Sequence, residues 1–128
     1  MNAMVGTDVA AELRKVEKHW TPRVVGRVND QYVKVAKLLG ELVWHAHDDE
    51  DEMFLVVSGR LRIQIEGDVE VVLEPGQFHV VPRGVRHNPI AEEEVEIMLI
   101  ETVTTAHTGE VTVAGTVPIE QQLGDVRA

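Results

Sequence analysis

The feature that most constrains this chain is a rhythm of two. From residue 60 the sequence reads "RLRIQIEGDVEVVLEPGQFHVVPRG". Leu61, Ile63 and Ile65 alternate with Arg62, Gln64 and Glu66, so the apolar set falls on one face of an extended chain and the polar set on the other. Gly67-Asp68 supplies the turn into the next run, and Pro75-Gly76 ends that one. The same grammar holds on both sides. "RVVGRV" and "YVKVAKL" flank a turn at Asn29-Asp30 and read as a hairpin. "GELVWHAH", "EMFLVVSG", "VRHNPI" and "VEIMLIETV" read as further strands, with the acidic cluster Glu92 to Glu94 as a turn between the last two. Many short strands with turn signals at nearly regular spacing predict an all-β antiparallel sandwich or barrel.

Only the start of the chain breaks the rhythm. Val9, Leu13, Val16 and Trp20 recur at helical spacing, which predicts one short α-helix over about residues 8–19. Thr7 or Asp8 is placed to cap it, and Pro22 lies just past its end. The expected organisation is an N-terminal segment with this helix (1–22), a barrel (23–104) and a C-terminal arm (105–128). The arm is rich in Thr, Gly and Val. It is expected either to pack loosely or to pair with a second chain.

The 128 residues suit a single domain. With no cysteine, disulfides, zinc fingers and thiol catalysis are excluded. A net charge of −10 repels phosphate backbones and anionic lipid, so neither nucleic acid nor membrane is expected as a partner. The sequence has no run of about 18 apolar residues and no positive start followed by an apolar block. A soluble cytoplasmic protein is expected. A homodimer is expected too, because edge strands need cover and both the first hairpin and the arm are available to give it.

Chemistry concentrates in "WHAHDDEDEMFLVVSG", residues 44–59. His45 and His47, at i and i+2 of an extended segment, project to one face. Asp48 to Asp51 is short enough for the chain to turn back, so Glu52 opens the neighbouring strand close by. His87 follows a proline–glycine turn in "PRGVRHNP". Imidazole suits Fe, Ni, Cu and Zn, whereas carboxylate and water favour harder ions such as Mn(II). Two histidines and a carboxylate also form the facial set of non-haem Fe(II) oxygenases. On the residues alone, the constellation is either such a cage or a polar turn between two strands.

The wider spacing resembles the cupin superfamily. That family's first motif is Gly, five residues, His-x-His, three or four residues, Glu, six residues, Gly. His45, His47, Glu52 and Gly59 fit it, while Gly40 stands four residues before His45 rather than five. The second motif is Gly, five residues, Pro-x-Gly, two residues, His, three residues, Asn. Gly76, Pro82, Gly84 and His87 fit it, and Ala91 stands at the Asn position. The likeness spans about residues 24–103, with the short gap between motifs found in small single-domain bacterial cupins. It implies a double-stranded β-helix, or jelly-roll barrel. It also implies a divalent transition metal (Fe, Mn, Ni or Zn) held by His45, His47, Glu52 and His87, with about two positions open on an octahedral ion.

The resemblance implies a small-molecule ligand, and a metal-dependent enzyme of isomerase-like or dioxygenase-like kind. The alternatives are a non-catalytic binding or sensing cupin, and a dimerisation module with an incidental metal. Small cupins of this look are often labelled mannose-6-phosphate-isomerase-like. A sugar phosphate needs cationic partners, however, and the acidic turn beside the ligands works against it. Val43, Phe54 and Met98 are the expected pocket-lining residues, and Trp44 is expected in the core or pocket wall. His79 is expected to face outward or stand at the pocket rim, His19 and His107 as structural or solvated, Asp48 to Asp51 as a solvated turn, and Arg83 and Arg86 as flanking the His87 turn.

Overall fold

The computed structural model of the protein describes residues 5–109 and 116–123. Its elements in chain order are α1 (Val9–Arg14), β1 (Arg23–Val28), β2 (Gln31–Glu41), β3 (Glu52–Ser58), β4 (Leu61–Ile65), β5 (Val69–Leu73), β6 (Phe78–Val81), β7 (His87–Thr102) and α2 (Ile119–Leu123). All pairings among the strands are antiparallel. One path runs β1-β2-β7-β3-β6, and β4 joins β7 to β5.

The organiser is β7. Its later half lies between β2 and β3, and its first residues lie between the end of β2 and β4. The two layers therefore share one strand. Their inner faces meet in a single apolar cluster that includes Leu38, Phe54, Val56, Leu61, Ile63, Val95, Ile97 and Leu99.

Among the described residues seven strands form where the sequence rhythm suggests eight or more. The acidic run Glu92 to Glu94 is not a chain reversal. It is an exposed irregularity inside β7, where the register against β2 slips from Leu38↔Val95 to Gly40↔Ala91. Three like charges are tolerated there because the inserted residues point to water. "GELVWHAH" is likewise not a separate strand. Its first residues extend β2 to Glu41, residues 42–44 leave the sheet, and His45 keeps one isolated bridge to His87.

The helix is shorter than the 8–19 that its periodicity predicts. Asp8 caps it by accepting from the Ala11 N–H at 3.2 Å. It ends at Arg14 because Trp20 is recruited elsewhere. The Trp20 backbone N–H donates to the Lys37 carbonyl, its indole N–H donates to the Leu39 carbonyl at 2.7 Å, and its φ is +60°. A six-residue helix does not hold itself together in water. It persists because Leu13 and Val16 pack on Val35, on the outer face of β2. Burying a leucine is worth roughly 1.5–3 kcal/mol.

The described part of the tail folds back on its own barrel. Thr105 and Thr108 are buried, α2 rests against β1, and the buried amide of Gln122 reaches Lys34.

Candidate metal centre

His45, His47, Glu52 and His87 come from three parts of the chain. His45 and His47 sit in the segment after β2, Glu52 opens β3, and His87 opens β7. Two backbone hydrogen bonds zip His45 to His87: the His45 N–H donates to the His87 carbonyl at 3.0 Å, and the His87 N–H donates back at 2.8 Å. The Gly84 N–H donates to the His47 carbonyl at 2.7 Å, fixing the next turn. All four side chains are buried, and one ligand atom from each lies within 4.8 Å of the other three. Of the residues expected to hold a metal, the structure brings all four together.

Their orientation follows from backbone carbonyls. His45 Nδ1 lies 2.8 Å from the Val43 carbonyl, and His87 Nδ1 lies 3.0 Å from the Val85 carbonyl. A carbonyl only accepts, so both Nδ1 atoms carry the proton, and in the neutral ring each Nε2 is left with a bare lone pair. His87 Nε2 then faces Glu52 Oε1 at 3.3 Å, a lone pair against a carboxylate oxygen. His47 Nε2 stands 3.5 Å from the same oxygen, and neither of its ring nitrogens has a hydrogen-bond partner. Buried polar atoms of native proteins are seldom left so. One cation among them pairs the Nε2 lone pairs of His45 and His87, one nitrogen of His47 and the Glu52 carboxylate together, so the donor set fits a divalent metal.

The electrostatics agree. Burial depresses His45 to about 4, against the pull of the Val43 carbonyl. Burial also works against His47, but Glu52 and the charge of Glu50 outweigh it and raise its pKa above the ordinary 6.5. Glu52 is fully enclosed, which by itself would raise its pKa; its neighbours Glu101, His47 and His87 hold it well below the usual carboxylate range. Burial and the charge of Glu52 push Glu101 well above that range. A protonated Glu101 donates to Glu52, which accounts for the one Glu101 oxygen that receives no donor. The other oxygen takes the ammonium of buried Lys34 at 2.6 Å.

Beside the cluster lies a cavity of about 30 Å³, room for about two waters. Its walls are mostly apolar, from Trp20, Leu42, Phe54, Pro89 and Leu99 among others, and its polar members are His45, Glu52 and His107. Phe54 stands in this wall. Val43 does not line it and contributes its carbonyl to His45 instead, while Leu42 takes the wall position. Met98 is one register step away. It pairs with Val35 on the face toward α1, and Ile97 and Leu99 face the cavity.

His79 pairs with Phe54 across β3 and β6 and lies outside the ligand cluster. His19 bonds Glu94 at the surface at 2.7 Å. Trp44 is half-buried beneath the Arg86 guanidinium. The run Asp48 to Asp51 is tied as well as solvated: Asp51 accepts from the Arg83 N–H, and Glu50 accepts from the Thr104 hydroxyl.

Lys34 escapes the sequence reading, and His107, expected as structural or solvated, stands in the cavity wall. Lys34 hides in an alternating strand, and His107 sits in a polar tail with no motif around it. Burial depresses the His107 pKa to about 4.

The family profile and one of the similar solved structures name the same family. The profile described as "Cupin domain" matches residues 33–103. The uncharacterized protein YdbB of Bacillus subtilis (strain 168) is 36% identical over 63 residues, which is 49% of this chain and 56% of that protein. The chain thus matches little more than half of that relative's length. A crystal structure of a cupin-2 domain containing protein from Shewanella frigidimarina NCIMB 400 is 41% identical, with a TM-score of 0.73 over 75% of this chain and 93% of the other. The structure of protein NMB1881 from Neisseria meningitidis is 26% identical, with a TM-score of 0.70 over 77% and 99%. The barrel is a jelly roll with a short N-terminal helix.

Proposed function

The chain belongs to the cupin domain family, and on that premise we propose that it holds a divalent transition metal on His45, His47, Glu52 and His87 and acts there on a small organic molecule. The reading is a metal-dependent enzyme of isomerase-like or dioxygenase-like kind. One observation carries the metal. The proton on His87 Nδ1 is committed to the Val85 carbonyl, so Nε2 opposes the Glu52 carboxylate at 3.3 Å with nothing positive between them. A proton on His87 would relieve one such contact, whereas a metal ion relieves all four ligands at once.

A bound ion would supply Lewis acidity to an oxygen of the ligand, or a template for it, at its open positions. The chain supplies the rest. Val43 and Val85 lock two imidazoles in the ligating tautomer. Glu101 and Lys34 hold Glu52 ionised and fixed. Phe54, Leu42 and Leu99 keep the ligand's other side in an apolar wall. A second reading, a non-catalytic binding cupin, is favoured by the small space, since about 30 Å³ leaves little room for a substrate to move. In either reading the chain works in the cytoplasm as a homodimer, with a small molecule rather than nucleic acid or membrane as its partner.

Elemental analysis of protein purified without added metal tests the proposal. Stoichiometric iron supports oxygen chemistry, and manganese or zinc supports isomerase or lyase chemistry. A protein that purifies empty and refuses cobalt or zinc when loaded contradicts the metal site.

A further inference from the structure

The turn after β7 crosses directly over the metal cluster. The Thr105 N–H donates to the Thr102 carbonyl at 2.8 Å, the Gly109 N–H donates to the Ala106 carbonyl at 3.1 Å, and the Thr104 hydroxyl reaches Glu50 at 2.9 Å. Gly109, at φ +60°, lies so close to the His-x-His segment that a Cβ there would overlap the Ala46 carbonyl and come within 3.6 Å of His47 Nδ1. Thr108, between the two, is fully buried. This turn carries His107 into the wall of the cavity that His45 and Glu52 also line.

The tautomer of His107 is set from the tail. The Val117 backbone N–H donates to His107 Nδ1 at 2.9 Å. A backbone N–H cannot accept, so Nδ1 must present its lone pair, and the ring proton sits on Nε2. The metal-side histidines His45 and His87 are built the other way round, with Nδ1 protonated against a carbonyl. Two imidazoles line this small cavity, His45 arranged to accept a cation and His107 to donate a proton to an acceptor. His107 is also absent from the four residues whose ligand atoms converge.

We propose that His107 is a ligand-facing hydrogen-bond donor, whose Nε2–H binds an oxygen of a small carboxylate or carbonyl compound seated on the metal. Such a ligand places its polar end between the ion and His107, with a short apolar remainder against Phe54, Leu42 and Leu99. This rests on the metal-site reading above. The role is specificity for an oxygen acceptor, because an apolar ligand would leave the Nε2–H without a partner in a dry wall, a costly arrangement.

The test uses the cobalt(II)-loaded protein, whose visible spectrum reports the ion's open positions, with acetate as the probe. His107→Phe keeps a ring in the wall and removes the donor. His107→Gln restores an amide N–H near the position of Nε2. The expected result is cobalt content equal to wild type in both variants, acetate binding weakened about tenfold or more in His107→Phe, and much of it recovered in His107→Gln. Equal acetate affinity in wild type and His107→Phe, both loaded with cobalt, overturns the donor role and leaves the metal site standing. Loss of cobalt from both variants, with the melting transition intact, makes His107 a ligand and overturns the donor role as well. A wild-type protein that takes no cobalt at all removes the metal reading, and this inference with it.

Discussion

At the scale of single residues, the site depends on which nitrogen holds a proton. Replacing His47 or His87 by Ala removes a convergent ligand and is expected to strip most of the metal. The fold should remain, because neither side chain belongs to the apolar cluster. His79→Ala should leave metal content unchanged, since His79 lies outside the cluster. Atomic absorption and circular dichroism on the three variants check this, and the opposite ranking of His79 and His87 would refute the ligand set.

The same residues fix the pH response. Metal competes with protons for imidazole lone pairs. His45 stays neutral down to about 4, but His47 is raised above 6.5, so it is lost to a proton well before His45 on acidification. Retention of zinc should therefore be full near about pH 8 and fall as the pH drops through the range above and around 6.5, well before His45 titrates. Zinc measured after dialysis across that range is the check, and retention flat down to about pH 5 would contradict it.

The four residues of the cluster were legible in the sequence because two motifs, each bounded by turns, carry them at the spacing that resembles the cupin family. His107 was not, because its place depends on a turn that closes over residues some sixty positions earlier, and no periodicity records such a closure.

At the scale of elements, alternation told which faces differ but not which face looks inward. In "YVKVAKL" the alternation sets Val33 and Val35 on one face and Lys34 on the other. The structure turns the lysine face inward. Val35 sits under α1, while Lys34 points into the barrel beside Leu99, its ammonium held by a Glu101 oxygen and by the Gln122 amide oxygen, each at 2.6 Å. A helix covering the outer face makes both faces of β2 interior, and period two cannot announce that. The merging of predicted strands into β2 and β7 has a similar cause: each continues because its partner does, through irregularities that look like turns in sequence.

The buried pair gives a prediction at this scale. Lys34→Met removes the cation facing Glu101 and the partner of Gln122, and should cost about 3 kcal/mol or more in urea unfolding. The double change Lys34→Met with Glu101→Leu should recover most of that loss, because a buried pair replaced by apolar residues is often neutral. A Lys34→Met variant as stable as wild type would show that the pair adds nothing to the barrel.

At the scale of the whole molecule, two apolar inventories have different uses. The first is outside. Val69, Val72, Phe78 and Val80, on β5 and β6, are 53%, 37%, 60% and 42% exposed. β6 ends the strand path that runs β1-β2-β7-β3-β6. An apolar edge of this kind invites association unless covered. The expected assembly is a homodimer, which light scattering at micromolar concentration would register as about twice the chain mass of 14.3 kDa. Phe78→Lys should move that value toward one chain if this edge is the contact, and a wild-type mass of 14.3 kDa would exclude the dimer.

The second inventory is inside, and it separates folding from metal binding. The cluster that joins Leu38, Phe54, Leu61, Ile63, Ile97 and Leu99 spans both layers without any ligand side chain among its members. An ion that binds only the folded state adds stability by linkage, about 2.7 kcal/mol when free metal stands at about a hundred times its dissociation constant. For a domain of this size, roughly 3–5 °C of melting temperature accompanies each kcal/mol. Chelation should therefore lower the transition by roughly ten degrees. The transition should stay cooperative, because the apolar cluster is untouched. The alternative is a barrel whose layers are held together by the ion, as in small metal-dependent domains that unfold without it. Calorimetry with and without chelator separates the two, and a chelated protein with no cooperative transition would place the metal in the folding core instead of beside it.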